Sequence, residues 1–272
     1  MAPLPQIYRV HADSLLRPDG FVMPSYHFHP YFELYYVERG ACRFFLKNEF
    51  YDLHAGDFIL LPPQVLHYTR YMFGACQRTA LFFRDADVAG LDTLMDMPGF
   101  FDRPGILQVP EAQREGIRTL LGRMLTEEKL QDLRSPPLLG LLLRELFLLC
   151  SRMGGSLGNA PANIHTTDRQ ILLAARYMSE HFRESITAGD IAAAAGFTPN
   201  YLSRKFRECT GIGVHEYLVF LRLQQARLEL VSTDDSITDI ALRCGFSSGN
   251  YFKDAFQRQY GVTPRAYRKS GT

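Results

Sequence analysis

Cysteine is scarce in this chain and badly placed for chemistry. Cys42, Cys76, Cys150, Cys209 and Cys244 are scattered through 272 residues with no CxxC spacing. An odd, dispersed set argues against a disulfide scaffold and for reduced, mostly buried thiols in a cytosol. Long apolar runs are missing too. The most apolar stretch, Leu138 to Cys150, is too short to cross a bilayer and contains Arg144 and Glu145, so no membrane partner is expected. Met1 to Val10 carries prolines and no apolar run, so a signal peptide is not expected and a cytoplasmic location is. Nor does charge of one sign dominate. The formal net charge is +1, although from Thr166 onward 14 basic residues face 11 acidic ones. That excess points towards an anionic partner for the second half, and only weakly.

What the chain does have is a change of rhythm. Its length suggests two domains, and a hydrophobic content of 46% is enough for ordinary cores. Residues 1–109 read as short strands: Phe32 to Val37, Cys42 to Leu46, Phe58 to Leu61 and Ala80 to Phe83 alternate with turns at Arg39-Gly40, Ala55-Gly56-Asp57 and Pro62-Pro63. That spacing predicts a sandwich or small barrel. Residues 110–152 turn helical. Ile117, Leu120, Leu121, Met124 and Leu125 recur at helical spacing, and a second helix after Pro136-Pro137 carries Leu139, Leu142, Leu143, Leu146 and Leu149 on one face. Leu139, Leu142, Leu146 and Leu149 could pair with the same helix of a second chain, making a homodimer, or pack under the chain's own barrel. Residues 153–165, rich in glycine, read as a flexible linker, and 166–272 is helical throughout. The fold class expected is α+β: a β-barrel with a helical spacer, then an all-α domain.

The last hundred residues repeat themselves. Asp190-Ile191-Ala192, Gly196-Phe197, Tyr201, Phe206 and Gly211 to Tyr217 recur as Asp239-Ile240-Ala241, Gly245-Phe246, Tyr251, Phe256 and Gly261 to Tyr267. Each copy reads as a short helix, a turn at Gly-Phe and a second helix, the pattern of a helix-turn-helix. Thr187 and Asp190 predict a capping box, and Thr198-Pro199 starts the second helix. On that helix Tyr201, Leu202 and Phe206 should face inward and Phe197 should plug the core. Asn200, Ser203, Arg204 and Arg207 should face outward, where arginine can bond bidentately to guanine and asparagine to adenine. Ser248, Asn250 and Lys253 hold the comparable face in the second copy, beside Gly249 and Asp254. A pair of plain helical hairpins is the alternative, and the tandem arrangement argues against it.

The stretch from about Thr167 to Arg268 resembles the DNA-binding domain of AraC/XylS transcription regulators. The resemblance is carried by Ile191-Ala192, Gly196-Phe197, Tyr201 to Arg207, Ile240 to Ser248, Tyr251-Phe252, Phe256, Tyr260 to Pro264 and Tyr267-Arg268. It implies two recognition helices in successive major-groove segments of double-stranded promoter DNA, contact with RNA polymerase, and most often activation in a bacterial cytoplasm. Val214 departs from the pattern where the second copy has Pro264, and Asp254 stands where relatives often place a basic or polar reader.

The front half carries a second constellation. His27, His29 and Glu33 are even steps apart, so a strand would point them one way. Gly40, Gly56, Pro62 and His67 follow, and the set resembles the cupin signature. That resemblance implies a sensor barrel for a small-molecule effector, best guessed as a sugar or related carbon source. It also implies a possible divalent metal held by His27, His29, Glu33 and His67, a donor set suited to Zn, Ni, Fe or Mn. The same histidines could instead line a ligand pocket or bond to backbone. Tyr26, Tyr35, Arg43 and Tyr68 are the other pocket candidates, as groups suited to hydroxylated or carboxylated ligands. Catalysis is not expected, although a metal cupin acting as a dioxygenase or isomerase is the alternative class. A structural DNA-binding protein without effector is the third.

Overall fold

A computed structural model describes residues 9–21, 23, 26–96, 100–102, 104–153 and 166–270. Packing divides the chain into two units, Met1–Ile164 and His165–Thr272. Apart from Met153, the expected linker 153–165 lies outside the described residues.

The first unit contains eight strands: β1 (His11–Arg17), β2 (Phe32–Arg39), β3 (Ala41–Leu46), β4 (Glu49–His54), β5 (Asp57–Leu61), β6 (His67–Arg70), β7 (Cys76–Phe83) and β8 (Gly105–Gln108). They form two antiparallel sheets, one ordered β1-β7-β2-β5-β8 and one ordered β4-β3-β6. Short helices α1 (Asp85–Val88) and α2 (Leu91–Leu94) follow β7, and long helices α3 (Arg114–Leu130) and α4 (Ser135–Arg152) follow β8. Alternation along β2 and β7 decides which neighbour each residue meets. Tyr35, Val37, Cys76 and Ala80 point between the sheets and share a core with Phe44, Leu53 and Ile59. Leu34, Tyr36, Leu81 and Phe83 point the other way and share a core with Leu120 and Met124 of α3 and with Leu143 and Phe147 of α4. Along most of β2 both faces meet apolar neighbours, which is why it reads as a nearly continuous apolar run.

This second core decides between the two roles left open for the leucine-rich helix. Leu139 and Leu146 are fully buried and Leu142 is 7% exposed, all in the core under the sheet, with Leu149 packed against it. They pack in their own chain rather than against a partner helix, because the outer face of the five-stranded sheet needs an apolar cover. The exposed leucines of α4 are Leu138 and Leu141.

The second unit is helical: α5 (Thr166–His181), α6 (Ala188–Ala194), α7 (Pro199–Thr210), α8 (Val214–Ser232), α9 (Ile237–Arg243), α10 (Gly249–Tyr260) and α11 (Pro264–Ser270). The repeat is exact in length, α6 and α9 spanning 7 residues each, α7 and α10 spanning 12. Thr187 and Asp190 form the expected capping box, with Thr187 N donating to Asp190 Oδ2 at 2.8 Å. Gly196 and Gly245 take φ of +70° and +85° at the two turns. Val214 and Pro264 each begin a helix, so the departure noted between the copies leaves helix initiation unaltered.

α8 serves both copies. Tyr217 meets Phe206 of the first at 5.5 Å between ring centroids. Leu223, Ala226 and Leu230 join Ile240, Phe246, Phe252 and Phe256 of the second. Arg222 Nε donates to the Phe182 carbonyl at 2.7 Å, and Glu229 receives Arg243 Nη2 at 2.7 Å.

Candidate functional site

Two helices, α7 and α10, present polar side chains outward from the second unit. Asn200, Ser203, Arg204 and Arg207 are exposed on α7, as are Ser248, Asn250 and Lys253 on or beside α10. Three of the seven already have local work. Arg204 Nη1 pairs with Glu208 Oε1 at 3.0 Å, and its guanidinium lies 5.2 Å from the centroid of the Tyr201 ring. Arg207 Nη2 bonds Glu216 Oε2 at 2.9 Å, the same oxygen that accepts Gly213 N–H at the start of α8. Ser248 caps α10, its hydroxyl oxygen accepting Tyr251 N–H at 3.2 Å. Exposed pairs of this kind are weak, so both arginines remain available to a competing acceptor.

Two inward placements expected from the sequence are corrected. Tyr201 is 37% exposed, and Phe197 is half-buried against it with ring centroids 4.8 Å apart. Leu202 and Phe206 fill that core without them, so Tyr201 becomes part of the exposed face.

The second constellation opens into a cavity of about 240 Å³ between the two sheets. Strand alternation supplies its lining. β1 contributes His11, Asp13 and Arg17, and β2 contributes Glu33 and Tyr35. β6 adds His67 and Thr69, while β7 adds Arg78 and Phe82. His27, His29, Tyr31 and Tyr71 come from connecting segments. The expectation that His27 and His29 lie on a strand with Glu33 is corrected: β2 begins only at Phe32, and His27 makes an isolated bridge to His67. They converge nonetheless, one donor atom from each of His27, His29, Glu33 and His67 lying within 4.8 Å of the others.

The hydrogen bonds orient these imidazoles. His29 Nδ1–H donates to the Tyr31 carbonyl at 2.7 Å, and His67 Nδ1–H donates to the Val65 carbonyl at 2.9 Å. Both rings therefore aim Nε2 at Glu33 Oε2, at 3.0 and 3.3 Å. Without a cation between them, each imidazole needs a second proton to face a carboxylate. With one, two lone pairs and a carboxylate converge on it. His67 Nε2 is buried, and Glu33 Oε2 is a polar atom that faces it. Burial works to raise the Glu33 carboxyl, but hydrogen bonds and charge from His29 and His67 hold it well below its ordinary range. Burial, reinforced by Glu33, pushes the Tyr31 phenol up to about 12. The donor set fits a divalent first-row ion.

Arg43 is a correction to the expected pocket set. It sits on β3 and pairs with Asp52 directly across on β4, Nε to Oδ1 at 2.5 Å and Nη2 to Oδ2 at 2.7 Å, away from the cavity. Tyr26 and Tyr68 do not line the cavity either. The arginines that do are Arg17 and Arg78, which sequence reasoning missed. The signal was there in HADSLLR, whose alternate residues His11, Asp13 and Arg17 are polar.

Residues 15–146 match the AraC-like ligand-binding domain family, and residues 191–270 match a helix-turn-helix domain family. The chain is 26% identical over 247 residues to the HTH-type transcriptional activator RhaS of Escherichia coli O1:K1 / APEC, covering 89% of this chain and 87% of the relative. Among solved structures, the DNA-binding domain of AdpA in complex with a target DNA is 32% identical, covering 37% of this chain and 91% of that one, with a TM-score of 0.36. ToxT from Vibrio cholerae O395 is 14% identical, covering 97% and 98%, with a TM-score of 0.37. With an AraC-like ligand-binding domain followed by a helix-turn-helix domain, the chain belongs to the AraC family of transcription regulators.

Proposed function

We propose that this regulator is an activator gated by a small hydroxylated molecule, a sugar or related carbon source, bound in the barrel cavity. The observation that carries the reading is a cavity between the sheets lined by histidine, arginine, tyrosine and carboxylate side chains, in a chain that also exposes two helices suited to the major groove. Activation is the role named for the RhaS relative. Asn200, Ser203, Arg204, Arg207, Ser248, Asn250 and Lys253 face double-stranded promoter DNA, and RNA polymerase is the partner that activation requires. The effector binds one arrangement of the chain better than another, and that difference in affinity shifts DNA occupancy or polymerase contact.

His27, His29, Glu33 and His67 hold a divalent ion (Zn, Ni, Fe or Mn) that supplies a Lewis-acidic anchor for effector hydroxyls. No catalytic turnover is assigned. The chain forms a homodimer through a surface other than the leucine face packed under the barrel. The site of action is the bacterial cytoplasm.

Footprinting of genomic fragments with and without candidate carbon sources tests the central reading. Protection that changes with one compound supports it, and protection indifferent to every compound overturns the sensor. Metal analysis of untagged protein tests the ion, and its absence across growth conditions overturns that part alone.

A further inference from the structure

The cavity is lined by two guanidinium groups, Arg17 and Arg78, and by two carboxylates, Asp13 and Glu33. Arg17 and Arg78 lie on adjacent strands with the same face inward, because Arg78 pairs with Leu15 and Cys76 pairs with Arg17. They are diagonal neighbours, which places their Cα atoms about 7–8 Å apart. The Arg78 side chain is 9% exposed. Its Nη2 meets Asp13 Oδ2 at 2.8 Å and its Nη1 donates to the Asp13 carbonyl at 3.3 Å, but its buried Nε–H has no hydrogen-bond partner among the described residues. Arg17 has no carboxylate partner among the described residues. Its guanidinium lies 4.4 Å from the centroid of the Phe21 ring, and its Nε–H is likewise buried and unpartnered. Asp13 answers one guanidinium, and Glu33 is already engaged by His29 and His67. Arg17 is left without a carboxylate, and both Nε–H groups lack a hydrogen-bond partner among the described residues. Buried donors in native proteins are rarely left so, and a guanidinium is shaped to receive a carboxylate. The hydroxyls of Tyr35 and Tyr71, 3.1 Å apart, line the same cavity and suit the rest of a polyhydroxylated ligand.

We propose that Arg17 and Arg78 form a carboxylate subsite, so that the effector is a small organic acid, such as a sugar acid, rather than a neutral sugar. Its carboxylate accepts from the two guanidinium groups while its hydroxyls extend towards the His27–His29–Glu33–His67 cluster. The inference rests on the reading of the barrel as the sensor.

The test uses the full chain, with calorimetry and thermal shift on matched probes: glucuronate against glucose, galacturonate against galactose, and malate and acetate as simpler acids. Each is run with and without a chelator. The expected result is binding by at least one acid, absent for its neutral counterpart. That binding should weaken at least about tenfold in Arg17→Gln with melting and metal content unchanged. Arg78→Lys keeps the charge beside Asp13 and should also weaken it. If that variant does not fold, Arg17→Gln decides, since Arg17 is half-exposed and has no ion pair to lose. A neutral sugar binding as tightly as its acid overturns the subsite, as does acid affinity unchanged in Arg17→Gln or silence of the whole acid panel at millimolar concentration. Footprinting separates the two readings. A neutral sugar that alters DNA protection sinks the subsite and sustains the sensor. An acid held through Arg17 that leaves protection unaltered sustains the subsite and sinks the sensor.

Discussion

Arg204 and Glu208 share one face of α7, and their pairing is too exposed to hold the arginine against a better acceptor. Arg204→Ala should cost about 1–3 kcal/mol of operator affinity and relax one base position. Glu208→Gln should hold or raise affinity, because it removes a competitor for Arg204 and a charge that repels phosphate. Mobility-shift titrations at fixed salt check both, and a large loss in Glu208→Gln would contradict the arrangement. Glu229 matters for stability instead. Burial works to raise its carboxyl, but hydrogen bonds from Gln225 and Arg243, with the charges of Arg243 and Arg183, hold it below the ordinary range. A carboxyl depressed by folding stabilises above its unfolded value, about 4.3, and loses that contribution as pH falls through the folded value. Glu229→Gln should therefore lower stability by about 1–2 kcal/mol at neutral pH. The gap should narrow as pH falls below about 4 and close below the folded value, read as urea midpoints across pH. Residues at fixed spacing were legible in the sequence at this scale: His27, His29, Glu33 and His67 do converge. Arg17 and Arg78 were not, because a strand whose polar side faces a cavity inverts the usual signal of apolar residues within. Arg43 misled for the complementary reason, since a cross-strand carboxylate had claimed it.

The two helix-turn-helix elements look interchangeable in sequence but differ in tolerance at their turn glycines. A Cβ on Gly196 would meet only the Gln170 side chain, at 3.4 Å, whereas one on Gly245 would lie 2.5 Å from the Phe182 carbonyl oxygen and 2.9 Å from that of Arg183. Both substitutions strain a left-handed backbone by about 1 kcal/mol. Gly245→Ala adds a collision with main chain that a flexible side chain cannot relieve, and should cost about 1–3 kcal/mol more. Equal melting temperatures for the two alanine variants would refute this. The elements of the second unit were legible because caps, turn glycines and helical periodicity agree locally and appear twice. In the first unit β2, β3, β5 and β7 were found from apolar runs. β1, β4, β6 and β8 escaped because they are short or polar and are strands only through their partners.

For the molecule as a whole, the net charge of +1 hides the binding surface, and salt dependence should expose it. If Lys253 contacts a phosphate, Lys253→Ala should reduce the slope of log affinity against log salt by about 1 and weaken all DNA sequences alike. A change in sequence preference would instead make it a base reader. The leucine-rich helix shows what sequence could not decide at this scale. Its apolar face was evident, but whether that face met a second chain or its own depended on the outer surface of a distant sheet. The shared helix α8 has a last consequence. Since both reading heads are wedged onto one strut of 19 residues, the gap between them is a fixed ruler and not a tether. An operator for this protein is then a phrase of two words with a set pause. Lengthening the pause by about 5 base pairs swings the second word to the far side of the duplex and should abolish joint occupancy. A whole extra turn restores the side but not the reach, so that it too should fail where a protein with a slack leash would recover.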